Sequence, residues 1–283
     1  MQASPECKRC FQRQALQSAE RVGLNERDTE HLLLQIRRRL DASPADETPP
    51  VTASDIHALI RDITRTSDPY QEAKSEATAH ALSLYPKLKQ LVMESDDPLQ
   101  TAVRLAIAGN IIDLGVSDQY DLEASIERVL TTEPMINHIE QLREALAGAK
   151  GVLFLADNAG ETVMDRLLIE QLHIPVTYVV KGGPAVNDAT REDAIAAGID
   201  KICELIDHGA ATLGTLLERC NEQFRQQFNE AELIIAKGMA NYESLHGSRA
   251  GLFFLLQAKC AVVAADLDVA EKSLIVLQGK MMG

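Results

Sequence analysis

Up to residue 148 the apolar positions recur at steps of three and four. CFQRQALQSAERV (10–22), HLLLQIRRRL (31–40) and DIHALIRDI (55–63) each gather them on one stripe of a helix. Asp28, Ser54 and Ser75 are candidate N-caps for successive helices. The stretch DASPADETPPVTA (41–53), with three prolines, reads as a loop inside one helical layer. PLQTAVRLAIAGNIIDLG (98–115) carries so little charge that it predicts a helix buried on most faces. After Ala149 the pattern changes. Short apolar runs, GVLFLAD (151–157), IPVTYVV (174–180), DKICEL (200–205), ELIIAK (232–237), CAVVAA (260–265) and LIVLQ (274–278), are mostly separated by longer helical patterns. Alternating strand and helix signals predict a mostly parallel sheet covered by helices on both faces. The expected architecture is therefore α/β: a three-layer sandwich with an N-terminal helical domain (1–148) packed against an α/β domain (149–283).

Length and composition narrow the class. The 283 residues suffice for a substantial core, and 46% apolar with 25% charged residues is an ordinary globular mixture. The 42 acidic residues against 28 basic ones leave a formal charge of −14. Such a chain is repelled by nucleic-acid backbones and anionic membranes, so neither is expected as a partner. No run of about 20 apolar residues spans a bilayer, Leu252–Leu256 being the densest. The opening MQASPECKRC has no apolar signal core, which points to a cytoplasmic protein. Five cysteines do not make a disulfide framework. Cys7 and Cys10 form a C-x-x-C, read as two ordinary thiols, a redox pair or half of a zinc site; Cys203, Cys220 and Cys260 read as core or near-core residues.

Open α/β sheets bind ligands at the carboxyl ends of their strands. There the chain places Asp157-Asn158-Ala159-Gly160-Glu161, then Lys181-Gly182-Gly183-Pro184 with Asn187-Asp188, then Glu204 and Asp207 before GAATLGT (209–215), then Lys237-Gly238 with Asn241 and Glu243. Bland turns seldom carry this many charges at successive strand ends. Asp157 and Asn158 offer hard oxygen ligands suited to Mg²⁺ or Mn²⁺, or Asp157 caps the next helix. Asp188 either caps ATREDAIAAG or completes an oxygen-rich metal site. Lys237 is a solvated surface lysine or a point charge for a phosphate. Asn110, in the apolar segment 98–115, and Asp113 either satisfy a neighbouring loop or reach the site. No P-loop, dinucleotide fingerprint, nucleophile elbow or H-E-x-x-H is present.

The ordered set C-x-x-C, DPYQEAK (68–74), DPLQTAVRLAIAGNIIDLG (97–115), DNAGE (157–161), KGGPAVNDAT (181–190), GAATLGT (209–215) and ELIIAKGMANYESL (232–245) resembles the damage-control phosphatase family, formerly domain of unknown function 89. The N-terminal C-x-x-C is similar to the prokaryotic branch. The resemblance implies an α/β sandwich and divalent-metal-dependent phosphatase activity, with Mn²⁺, Mg²⁺, Co²⁺ or Ni²⁺, on small phosphorylated metabolites. Carried over by motif, Asp157, Asn158 and Asp188 would hold the metal, Lys237 the substrate phosphate, and Asn110 and Glu161 would line the pocket. Either water or Asp157 would be the nucleophile, with Glu161 orienting or deprotonating the water. The competing expectation is a non-catalytic sensor binding a phosphometabolite through the same groups. A methyltransferase would show a glycine-rich loop after the first strand, where DNAGE has a single glycine.

Overall fold

The computed structural model describes residues 4–44, 47–109 and 122–280. Asn110 and Asp113 lie outside the described residues.

Five helices open the chain: α1 (Pro5–Arg21), α2 (Glu26–Asp41), α3 (Pro49–Thr64), α4 (Gln71–Glu94) and α5 (Pro98–Gly109). Then follow α6 (Leu122–Thr131), β1 (Ile136–Asn137), α7 (Ile139–Gly148), β2 (Val152–Leu155), α8 (Thr162–Ile169), β3 (Val176–Val180), α9 (Arg191–Ala196), β4 (Glu204–Asp207), α10 (Glu222–Glu230), β5 (Leu233–Lys237), α11 (Gly238–Leu245), β6 (Leu252–Gln257), α12 (Ala261–Asp266) and β7 (Leu274–Gln278). The seven strands form one sheet in the order β1-β7-β6-β5-β2-β3-β4. Every pairing is parallel except β6 with β7.

Helices cover both faces, as the alternating pattern predicts. Because strand side chains alternate sides, Phe154, Tyr178, Ile235 and Phe253 pack on one face against α4, α5 and α8. Leu153, Val179, Ile234 and Phe254 pack on the other against α10, α11 and α12. Residues 102–109 of α5 are all buried, in keeping with their apolar composition. The helix lies so close to α8 that a Cβ on Gly109 would stand 3.1 Å from the Met164 side chain. Helices α1, α2 and α3 form a smaller core of their own, around Phe11, Leu32, Ile36, Ile56 and Ile60. No helix among the described residues is long and apolar enough to cross a membrane.

Several local expectations are corrected. CAVVAA is not a strand: Cys260 caps α12, in which only Val263 and Ala264 are buried. The strand of this region is β6, whose six residues are all buried. An unbroken apolar run without polar alternation is what a central strand covered on both faces requires. The strand expected over 200–205 is β4, which begins only at Glu204, because residues 199–201 form a helical turn. The first three helices are capped at Ser4, Asn25 and Thr48. Asp28 lies in the first turn of α2, where its N–H donates to the Asn25 side chain. Ser54 and Ser75 lie inside helices and donate to the carbonyls of Pro50 and Gln71, four residues back. The expected loop at 41–53 closes early. Pro49 and Pro50 start α3, where a missing N–H costs nothing.

Candidate active site at the carboxyl ends of the central strands

β2 lies between β3 and β5, and all three run parallel, so their carboxyl ends share one edge. Past β2 the chain continues through Asp157 and Asn158 into a helical turn (Ala159–Glu161) and then α8. Past β3 it leaves at Lys181, loops, and returns beside the DNAGE turn. Asn158 and Asp188 form an antiparallel bridge. Around it, Ala159 N donates to Asn187 O (2.8 Å), Ala189 N to Asp157 O (2.8 Å) and Lys181 N to Ala189 O (2.9 Å). Asp157, Asn158 and Asp188 are thus brought together by main-chain hydrogen bonds, and all three are buried. Asp188 does not cap α9. That position belongs to Thr190, in a capping box with Asp193.

Glycines make the close approaches possible. Gly238 adopts φ +77°, and a Cβ there would fall 1.9 Å from Asp157 Oδ2, so the Asp157 carboxylate occupies the space a side chain would take. The GAATLGT loop docks on α11: Thr215 Oγ1 donates to Asn241 Oδ1 at 2.8 Å. Asn241 Nδ2 in turn donates to Ala156 O (3.1 Å) and Lys237 O (2.8 Å), tying this loop to the ends of β2 and β5.

The charges are unevenly met. Burial first, then Glu161 and Asp188, push the Asp157 carboxyl well above the usual range, while Lys181 and Lys259 pull it back. Lys181 is buried; its Nζ lies 3.3 Å from Asp188 Oδ2 and donates to Gly214 O at 3.1 Å. Lys237 is fully buried and faces inward, with Nζ 2.8 Å from Glu161 Oε2 and 2.7 Å from Asp165 Oδ1. Burial works against its charge, but Asp165 and Glu161 outweigh this and hold the ammonium more firmly protonated than usual. Asp165, which also accepts from the Tyr178 hydroxyl at 2.7 Å, is pushed up to about 6, chiefly by burial. Glu161 Oε1 accepts from Asn158 Nδ2 at 2.6 Å. Both Glu161 oxygens are therefore engaged, one by an amide and one by an ammonium.

Asp165, Tyr178 and Lys259 are functional candidates absent from the expected set, and Lys181, noted only as a strand-end charge, gains a place beside Asp188. Asp165 was accessible from sequence, since Glu161 and Asp165 are four apart and share a helix face. Lys259 follows β6, and without that strand its position at the same sheet edge is invisible. Cys7 and Cys10 are free, half-buried thiols at the start of α1. Among the described residues no group of three or more His, Cys, Asp and Glu side chains is arranged as a metal site. The donors that converge at the sheet edge are two carboxylates and one amide.

Residues 3–275 match the damage-control phosphatase ARMT1-like domain. The chain belongs to this family. A protein named damage-control phosphatase from Archaeoglobus fulgidus is 39% identical over 226 residues, covering 77% of this chain and 78% of that one. Another from Pyrococcus horikoshii is 31% identical over 290 residues and covers 99% of both chains. An uncharacterized protein of Methanocaldococcus jannaschii is 35% identical over 278 residues, 94% of this chain and 91% of that one. The crystal structure of the Pyrococcus horikoshii protein, a member of the DUF89 family, superposes with a TM-score of 0.91 at 29% identity, covering 99% of this chain and 100% of that one. The family's α/β architecture and the sheet described above therefore agree along the whole chain.

Proposed function

We propose that this protein is a divalent-metal-dependent phosphatase acting on a small phosphorylated metabolite. Two of its relatives are named damage-control phosphatases, and one feature of the chain itself carries the reading. Asp157 and Asp188 are buried close enough to repel, beside the Asn158 amide, and the pull of Lys181 and Lys259 does not bring the Asp157 carboxyl back to its usual range. Such a cluster is relieved either by holding a proton or by binding a cation, and a divalent cation meets both carboxylates and the amide at once. The donors are all hard oxygens, the set preferred by Mg²⁺ and Mn²⁺ and tolerated by Co²⁺ and Ni²⁺.

Asp157, Asn158 and Asp188 would hold the cation. It would supply Lewis-acid polarisation of the phosphoryl group and neutralise the charge that develops there. The chain's own residues do the rest. Lys259, at the end of β6, and Lys181, at the end of β3, flank Asp157 and offer ammonium groups to phosphoryl oxygens. Lys237 is engaged by its pair of carboxylates, which leaves Lys259 and Lys181 as further ammonium groups for the phosphate at this edge. Gly238, having no Cβ, lets the Asp157 carboxylate lie against the turn after β5, and either Asp157 or a water beside it would be the nucleophile. Glu161, engaged at both oxygens, acts on the site through Asn158.

Hydrolysis of p-nitrophenyl phosphate with Mn²⁺, Mg²⁺, Co²⁺ or Ni²⁺, before and after chelation, tests the proposal. Metal-dependent phosphate release is expected, and Asp157→Asn should lower kcat/KM by about 10³-fold or more with circular dichroism unchanged. Saturable binding of a phosphate ester without phosphate release would instead make the protein a sensor. Activity indifferent to chelation would remove the metal from the mechanism.

A further inference from the structure

A buried chain of hydrogen bonds runs away from the site into the layer beneath. It begins at Asn158 Nδ2, which donates to Glu161 Oε1 at 2.6 Å and, more weakly, to Asp157 Oδ2 at 3.3 Å. It continues from Glu161 Oε2 to Lys237 Nζ (2.8 Å), on to Asp165 Oδ1 (2.7 Å), and ends where Tyr178 OH donates to Asp165 Oδ2 (2.7 Å). Glu161, Asp165, Lys237 and Tyr178 are all fully buried. Tyr178 is itself held by stacking on Phe154, with ring centroids 5.3 Å apart.

Donor and acceptor types allow this chain one direction only. An ammonium has three N–H donors and no acceptor, so whatever stands at position 161 must present an oxygen to Lys237. With a carboxylate there, the second oxygen is also an acceptor, and the group facing it must donate. Asn158 therefore turns its NH₂ toward Glu161, and its carbonyl oxygen is left on the opposite side of the amide. We infer that Glu161, oriented by Lys237, is a positioning residue that sets the sense of the Asn158 amide, so that its oxygen rather than its NH₂ is offered to the cation. The inference rests on the metal-dependent reading above and deepens it: the amide contributes a ligand only while position 161 accepts from it.

The test exploits the same bookkeeping of donors. In Glu161→Gln the shape is kept, but Lys237 claims the introduced carbonyl oxygen, and the introduced NH₂ then faces Asn158. The Asn158 amide must turn over to accept, presenting its NH₂ to the cation. The double variant Asn158→Asp/Glu161→Gln keeps the net charge and reverses the polarity of the pair: the introduced glutamine donates to the introduced carboxylate, whose other oxygen faces the cation whichever way it turns. Calorimetric titration of each purified protein with Mn²⁺, in the absence of substrate, reads binding directly. Glu161→Gln should weaken Mn²⁺ by about 10–100-fold. The double variant should return to within about threefold of wild type. A Glu161→Gln affinity equal to wild type overturns the inference, as does a folded double variant that stays weak. Should the single variant fail to fold, the folded double variant decides, since in it Lys237 still meets an oxygen and the introduced glutamine NH₂ still meets an acceptor at position 158. Wild-type protein that takes up no Mn²⁺ would instead sink the metal-dependent reading beneath.

Discussion

Two lysines in this molecule are buried against two carboxylates each, and they do different work. Lys74, in α4, joins Asp68 (2.6 Å) at the turn before that helix to Asp193 (2.8 Å) in α9. Lys237, at the end of β5, joins Glu161 to Asp165, both in the segment that follows β2. The partners of Lys74 still reach water, at 10% and 12% side-chain exposure, and Asp193 also closes the capping box of α9. The partners of Lys237 have no exposure at all, and each passes its second oxygen on, one to Asn158 and one to Tyr178. The first arrangement ends locally and fastens the N-terminal helices to the start of α9. The second is a through-connection whose far end is a candidate metal ligand. A buried ion pair is therefore not assigned a role by its own geometry; what its carboxylates do with their remaining lone pairs decides it.

Breaking each lysine separates the two cases. Lys237→Met leaves two buried carboxylates without their cation and should cost about 3–5 kcal/mol in chemical denaturation of the metal-free protein. It should also weaken Mn²⁺ binding, because Glu161 loses the partner that orients it. Lys74→Met should cost less, about 1–3 kcal/mol, since solvent can attend to Asp68 and Asp193. Its Mn²⁺ affinity, measured by the same titration, should stay within about twofold of wild type. Equal stability losses would show that residual exposure does not distinguish the pairs; a large loss of Mn²⁺ affinity in Lys74→Met would show that the fastening reaches the site.

A finer comparison concerns one buried histidine in each region. His57 lies beside Arg61 in α3, near Tyr70, and His208 follows β4 beside Lys181. Burial lowers both to about 3, with Arg61 adding to the effect at His57 and Lys181 at His208. Each is neutral when folded and takes up a proton on unfolding. Their contribution is therefore complete above about pH 6.5 and is lost as the pH falls toward 3. His57→Leu should remove about one proton from the pH dependence of unfolding between pH 6 and 4, flattening it by about 1.4 kcal/mol per pH unit. An unchanged slope would mean that His57 is charged in the folded protein.

Much of this was open to reading in the chain. The alternation of apolar runs and helical stretches announces a covered parallel sheet, and such a sheet announces where its chemistry lies. Asp157 and Asn158 follow β2 closely, so their place at the sheet edge is legible, but Asp188 lies eight residues past β3 and meets them only because its loop turns back to bridge Asn158. The antiparallel β6–β7 pair was hidden, because CAVVAA and LFFLL are both short apolar runs, and only packing told a helix with two buried residues from a strand buried throughout. Lys259 went unnoticed for the same reason. The direction of Lys237 could not be read either: an ammonium at a strand end can face the solvent or the layer beneath, and both are compatible with ELIIAKG.

The amino-acid sequence alone determined which chemical groups this protein carries to the edge of its sheet, because periodicity and strand ends are local properties of the chain. The tertiary structure decided which of them meet. Whether the Lys237 ammonium faces the solvent or the layer beneath depends on carboxylates some seventy residues away, Glu161 and Asp165, and on their full burial. Donor and acceptor matching in a dry interior is a property of the packed ensemble of side chains, and no window along the chain contains it.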